Sequence, residues 1–233
     1  MTNTLNYLCE QLAHDELSTL AIAGQYNGLL DEKREAQIVS LANSGLLDLY
    51  STFVLKENEV IIQIAEARTV YPLHVAHSSV NGTDAHRFIQ DSPDFPFIGD
   101  VLRVTGAVTE HGCQLPLNDP GAPGSIFTPS PAVVQVPCDC GYDALGITYQ
   151  ASHPKLTPQD MDAEIQLPPV LWPALRSWIA YRVFSAIGTE AAKMTAAEHF
   201  AAFQRVVDMV KEQDLVSNSQ SVSTHKFQNN GWV

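Results

Sequence analysis

The chain has 233 residues, 45% of them hydrophobic and 17% charged, and 26 acidic against 13 basic side chains give a formal net charge of -13. That apolar share excludes wholesale disorder, and the length suffices for one large or two modest cores without covalent staples. The acidity excludes gripping duplex nucleic acid by counterion release, which needs clustered Lys and Arg; taken alone it points first to a plain solubilising surface, and it is compatible with a wall that surrounds DNA without holding it.

Lys33 is the first basic residue, so the amino terminus lacks the positive charge that opens a secretory signal or transit peptide, and the chain is expected to be cytosolic when made. Residues 4 to 23 carry Leu5, Leu8, Leu12, Leu17 and Leu20 behind a Thr4 cap, which predicts one helix or two short ones with a break near His14 and Asp15. Gly24 and Gly28 mark a connection. From Asp31 the run DEKREAQIVSLANSGLLDLYSTF puts acidic residues in a first turn, where they suit the helix dipole, and Ile38, Leu41, Leu46, Leu49 and Tyr50 on one face. Gly45 weakens that pattern in its middle.

The texture changes near Phe53. Between there and His153 the chain reads as short β runs: Phe53 to Leu55, Val60 to Ile64, Thr69 to Tyr71, Val101 to Val104, Ala132 to Val136 and Leu145 to Tyr149. Turn residues such as Asn81-Gly82 and Asn118-Asp119-Pro120-Gly121 separate them. The expectation is an antiparallel barrel or sandwich with a long loop.

Thr157-Pro158 offers a helix start over a short stretch, and Pro168-Pro169 then resets the chain. From Leu167 to Gly188 lies the most apolar helical run. Leu171, Leu175, Trp178 and Arg182 share one spacing and Ile179, Val183 and Ala186 another, with Val170, Tyr181, Phe184 and Ile187 elsewhere on the circumference. Such a helix needs neighbours on nearly every side. Arg176, Arg182 and the prolines at 168, 169 and 173 argue against a membrane span. The two arginines call for carboxylates, either on the first helices or across a subunit boundary. Thr195-Ala-Ala-Glu198 is a capping-box pattern for a last helix through Phe200, Phe203, Val207 and Val210 to about Leu215, making an αα-hairpin with its predecessor. Residues 217 to 233 are polar and aperiodic, yet hold Phe227, Trp232 and Val233, which suits a flexible arm that docks on a partner as well as it suits an idle end.

Catalytic signatures are missing: there is no nucleophile elbow, phosphate loop, dinucleotide fingerprint or paired-histidine zinc helix, so no catalytic or cofactor-binding residue is assigned. His111 and Cys113 with Cys138 and Cys140 are the best metal candidates, but their one-residue spacing fits zinc knuckles badly, and no metal ligand is assigned. Together with Cys9 these cysteines are too few and too uneven for a disulfide framework, so reduced thiols are expected. His74 and His77, in a strand, would face opposite sides.

The order of parts resembles a known family. Asn43-Ser-Gly-Leu-Leu-Asp-Leu-Tyr-Ser-Thr-Phe53, the inserted Thr69-Val-Tyr-Pro-Leu73, Ile147-Thr-Tyr-Gln-Ala-Ser-His-Pro-Lys-Leu156, Ile165-Gln-Leu-Pro168 and Ala174-Leu-Arg-Ser-Trp-Ile-Ala-Tyr-Arg-Val-Phe184 look like the head-to-tail adaptors of tailed, especially short-tailed, bacteriophages, over about residues 5 to 215. The long loop at Asn118 to Gly124 and Cys138-Asp-Cys140 depart from that pattern. The resemblance implies an α+β fold: a helical bundle built from residues 1–52 and 157–216, an inserted antiparallel β barrel or sandwich at 53–156, and a docking arm at 217–233. It also implies a non-enzymatic virion protein at the head-tail junction, a homo-oligomeric ring of about twelve copies that binds the portal protein and tail or nozzle proteins. Double-stranded DNA would then be only passing cargo, and no membrane would be a partner. Under this reading Trp178, Tyr181, Arg182, Phe227, Trp232 and Val233 are the candidate subunit or portal contacts. A tail nozzle or tail-tube component is the alternative, and a small metal-dependent hydrolase using His111 and Cys113 a remote third.

Overall fold

A computed structural model describes residues 3–20, 32–65, 68–80, 82, 84, 86–93, 96–137 and 141–216. Its class is α+β. The chain divides into two compact units, one holding Met1–Val54 with His153–Asn218, the other holding Leu55–Ser152.

In the first unit, helix α1 (Leu5–His14) opens on Thr4, whose hydroxyl accepts from the Tyr7 amide at 3.3 Å, and it buries Leu5, Leu8, Cys9, Leu12 and Ala13. It stops at Asp15, where the expected break falls. Helix α2 (Glu32–Thr52) turns Ile38, Val39, Ala42, Leu46, Leu49 and Tyr50 inward, the face its apolar spacing marks. Phe53 to Leu55 is not the strand expected: the Phe53 amide still bonds the Leu49 carbonyl at 2.9 Å and closes the helix.

Residues 153 to 167 contain no helix, so the start expected at Thr157 gives only a turn, Asp160 amide to Thr157 carbonyl at 3.2 Å. The segment is nevertheless pinned to both first helices. Asn43 on α2 holds Leu156 twice, its amide group donating to the carbonyl and its oxygen accepting from the backbone N–H, each at 2.9 Å. The Tyr50 hydroxyl donates to the Gln166 carbonyl, and the Gln166 amide donates to His153 Nε2 at 3.0 Å. At the start of α1, the Leu5 and Asn6 amides bond the carbonyls of Ala163 and Met161.

A 3-10 turn at Pro169–Leu171 leads into helix α3 (Trp172–Ile187), which ends on Gly188 at φ 79, the left-handed cap that glycine adopts without penalty. Helix α4 (Glu190–Glu212) begins five residues before the capping box read at Thr195. Thr189 is the real cap, its hydroxyl accepting from the Ala192 amide at 3.2 Å, and Thr195 lies inside the helix donating to the Ala191 carbonyl. A chain reversed at Gly188 restarts at the first available cap, and Thr189 follows at once.

The second unit holds two open sheets rather than the closed barrel that was one of the two expectations. Five strands form the first: β1 (Glu57–Gln63), β3 (Ser78–Ser79), β4 (Ile89–Gln90), β5 (Val101–Thr109) and β8 (Ala144–Ala151), in the order β3-β4-β1-β8-β5. The second is β2 (Val70–Pro72), β7 (Val133–Gln135) and β6 (Phe127–Ser130) in the order β2-β7-β6. All pairings are antiparallel except β3 with β4, which is parallel. One apolar cluster serves both sheets, drawing Val60 and Ile62 from β1, Leu145, Ile147 and Tyr149 from β8, Tyr71 from β2 and Val134 from β7. Closure fails because β2, β3, β4, β6 and β7 have four residues or fewer and cannot carry a continuous ladder around a barrel.

Candidate functional site

The helical unit is organised on the α3–α4 hairpin. Helix α3 buries Trp172, Ala174, Leu175, Ser177, Ile179, Ala180, Val183 and Phe184, so most of its circumference is covered inside its own unit. Its C-terminal part is the exception: Arg182, Ser185, Ala186 and Ile187 are exposed.

Aromatic side chains knit the two helices together. Trp178 lies 5.2 Å from Phe203 and 5.8 Å from Tyr181, Tyr181 lies 5.0 Å from Phe200, and Phe184 stacks on His199 at 5.5 Å. Pairs of this kind are worth about 0.5–1.5 kcal/mol each beyond their buried area. Trp178 also meets α2. A β-carbon placed on Gly45 would sit 2.6 Å from its Cδ1 and 2.9 Å from Leu175 Cδ1. Glycine is thus what lets α3 approach α2, and the mid-helix glycine that weakened the sequence pattern is the contact point itself. The Trp178 indole N–H is buried with no hydrogen-bond partner among the described residues.

The two arginines separate into different roles. Arg176 is clamped within its unit: Nε and Nη2 donate to Glu16 at 3.0 and 2.7 Å, Nη2 also meets Asp15 at 2.5 Å, and Nη1 reaches Gln11 at 3.4 Å. Burial pulls its guanidinium down, but Glu16 and Asp15 more than offset that and hold it above its usual value. The same Gln11 oxygen accepts from the Trp172 indole at 2.7 Å, and Tyr7 stacks on that ring at 6.2 Å. Of the two partners the sequence allowed, it is the amino-terminal segment, at the turn directly after α1, that supplies Arg176's carboxylates. Arg182 has no carboxylate within 4.0 Å among the described residues, and its guanidinium lies exposed 5.8 Å above the Trp178 ring.

Of the candidate contacts read from the sequence, Trp178, Tyr181 and Arg182 therefore come together on one stretch of α3, two of them half-buried under α4 and one exposed. Phe227, Trp232 and Val233 lie outside the described residues, as do Cys138 and Cys140. His111 and Cys113 are exposed on the turn after β5, with His111 Nε2 4.0 Å from Glu110. No group of three metal-ligating side chains occurs among the described residues, and no helix among them is long and apolar enough to cross a membrane. His74 and His77 do not sit in a strand: His74 caps the 3-10 turn Val75–His77 and His77 ends it, their ring centroids 6.5 Å apart. Each ring is already committed locally, His74 Nδ1 to the Ala76 amide and His77 Nδ1 to the His86 carbonyl.

Burial pushes the Cys9 thiol up to about 12, with Glu35 and Glu10 adding to it, so it stays a protonated, inert core group. Tyr149 is raised by burial and by Asp100, to which its hydroxyl donates at 3.0 Å. Asp100 also takes Asn58 at 3.2 Å and faces Lys56 at 3.8 Å, a satisfied polar knot between strands. The contacts made by Gly45, Asn43 and Glu16 are not read from the sequence; the signal at Gly45 is a glycine placed mid-helix against its propensity. No protein-family model matches the chain, and no curated protein matches it.

Proposed function

We propose that this chain is a structural ring subunit of a tailed bacteriophage, a head-to-tail adaptor that joins the portal vertex to the tail and continues the DNA channel. The observation that carries the reading is that parts of four of the five stretches resembling that family meet within the helical unit. Asn43 to Phe53 lies at the end of α2, and Asn43 binds Leu156, Tyr50 binds Gln166 and Gly45 receives Trp178. These four motifs are scattered over more than a hundred residues, yet α2 touches each of the other three.

Charge supports the same reading. Residues 55–152 hold eleven Asp and Glu against four Lys and Arg. A wall of that sign repels phosphate, so a duplex slides past it without adhering. The work of such a protein is mechanical: matching one ring to the next and retaining the genome. The proposed contacts are Trp178, Tyr181 and Arg182, with Phe227, Trp232 and Val233 on the arm.

Native mass measurement of the chain alone and mixed with the portal rings of its own virion tests this. A complex of fixed stoichiometry on the portal is the expected result. A chain that binds portal only after another tail protein has been added is a nozzle or tail-tube component, and one that binds neither overturns the reading.

A further inference from the structure

The helical unit carries complementary charge at its two ends. Helix α1 runs beside α3, as Tyr7 and Gln11 meet Trp172 and the Asp15-Glu16 pair meets Arg176 one turn further on. Beyond the start of α1 lies the turn that the Leu5 and Asn6 amides hold through Ala163 and Met161. Its side chains Asp160, Asp162 and Glu164 are all exposed, and none has an ion-pair partner among the described residues. Arg182 lies past Arg176 in the other direction, also exposed and without an ion pair among the described residues, on a half-buried tryptophan. At 1.5 Å per residue along α1 and then α3, the acidic turn and Arg182 are roughly 25 Å apart at opposite ends of one body.

A surface that finds its complement on the far end of its own unit makes a head-to-tail contact, which repeats from copy to copy instead of closing into a two-fold pair. We infer that Arg182, with the exposed edges of Trp178 and Tyr181, receives the Asp160–Glu164 turn of a second copy of this chain. An isolated exposed ion pair is worth little. Here an arginine already seated on an aromatic face meets three carboxylates, so charge sets partner, direction and register while the aromatic edges supply apolar area. The inference deepens the ring reading and rests on it for closure of the repeat.

The test is a charge swap in the full chain, read by sedimentation and native mass at low salt, alone and on portal rings. Arg182→Glu should weaken self-association about tenfold or more, and the triple change Asp160→Lys, Asp162→Lys, Glu164→Lys should do the same, because each sets like charges against each other. All four positions are exposed, and far-UV circular dichroism checks that the variants fold. Mixing the two variants restores opposite signs at every contact, so association should return only in the mixture. Variants that assemble as well as the unchanged chain overturn this contact and leave the ring reading standing. An unchanged chain that stays monomeric both alone and on portal overturns both.

Discussion

Replacing Gly45 by alanine sets two effects of known size against each other. In an open helix the change stabilises by about 1 kcal/mol, because alanine is the better helix former. Here the added β-carbon would stand 2.6 Å from Trp178 Cδ1 and 2.9 Å from Leu175 Cδ1, well inside contact distance. Trp178 has little room to withdraw, with Phe203 at 5.2 Å and Tyr181 at 5.8 Å behind it. Overpacking of this kind costs about 1–3 kcal/mol, so the expected net is a loss of about 1 kcal/mol, or about 2–4 °C in Tm. Urea and thermal denaturation followed by tryptophan fluorescence measure it. The same substitution in a Trp178→Leu background should recover most of the loss, a coupling of about 1 kcal/mol between the two sites. If Gly45→Ala stabilises the unchanged chain by the full helix-propensity gain, α3 does not approach α2 at this point.

Three further outcomes follow from the same unit. Arg176→Met leaves Glu16 and Asp15 without their cation and should destabilise by about 2 kcal/mol, with Arg176→Lys recovering only part, since a lysine cannot hold Glu16 through two nitrogens; chemical denaturation decides. Asn43→Ala abandons the amide and carbonyl of Leu156, both bonded at 2.9 Å, and should cost about 1–3 kcal/mol with faster amide exchange at Leu156. Burial raises the Asp48 carboxyl, against the pull of Lys211, so the folded state prefers its protonated form. Its contribution is favourable below the unfolded carboxylate range and is lost as pH rises through the raised value. Asp48→Asn should accordingly raise Tm at pH 7 and bring no gain at pH 3, and a gain that persists in acid would contradict this.

Much of the helical unit is written in local chemistry. Thr4, the break at Asp15, the 3-10 entry at Pro169 and the left-handed Gly188 follow from residues within a turn of where they act, and the spacing of Ile38, Leu46 and Leu49 predicts the buried face of α2. The errors arise where a pattern competes with its neighbours. Thr195 has a capping-box sequence but loses to Thr189, which the reversal at Gly188 presents first. The strands at Ser78–Ser79, Ile89–Gln90 and Phe127–Ser130 are too short to show alternation, so no period in the sequence marks them. The candidate site is legible only in part: the spacing of Trp178, Tyr181 and Arg182 puts them on one stretch of α3, while the division of labour between Arg176 and Arg182 depends on where α1 runs.

The clamp between Arg176 and Asp15 joins residues 161 positions apart, and the β unit lies in between. Synthesis therefore delivers α1 and α2 long before the helices that complete their core. The β strands can pair while the first helices still expose Leu8, Leu12, Ile38 and Leu49. Closing so long a loop is slow, and the waiting helices are apolar on one side. The acidic residues around them, Glu10, Glu16, Glu32 and Glu35, then keep nascent chains apart until α3 and α4 arrive. Folding of the helical unit is thus timed by release of its carboxyl-terminal half.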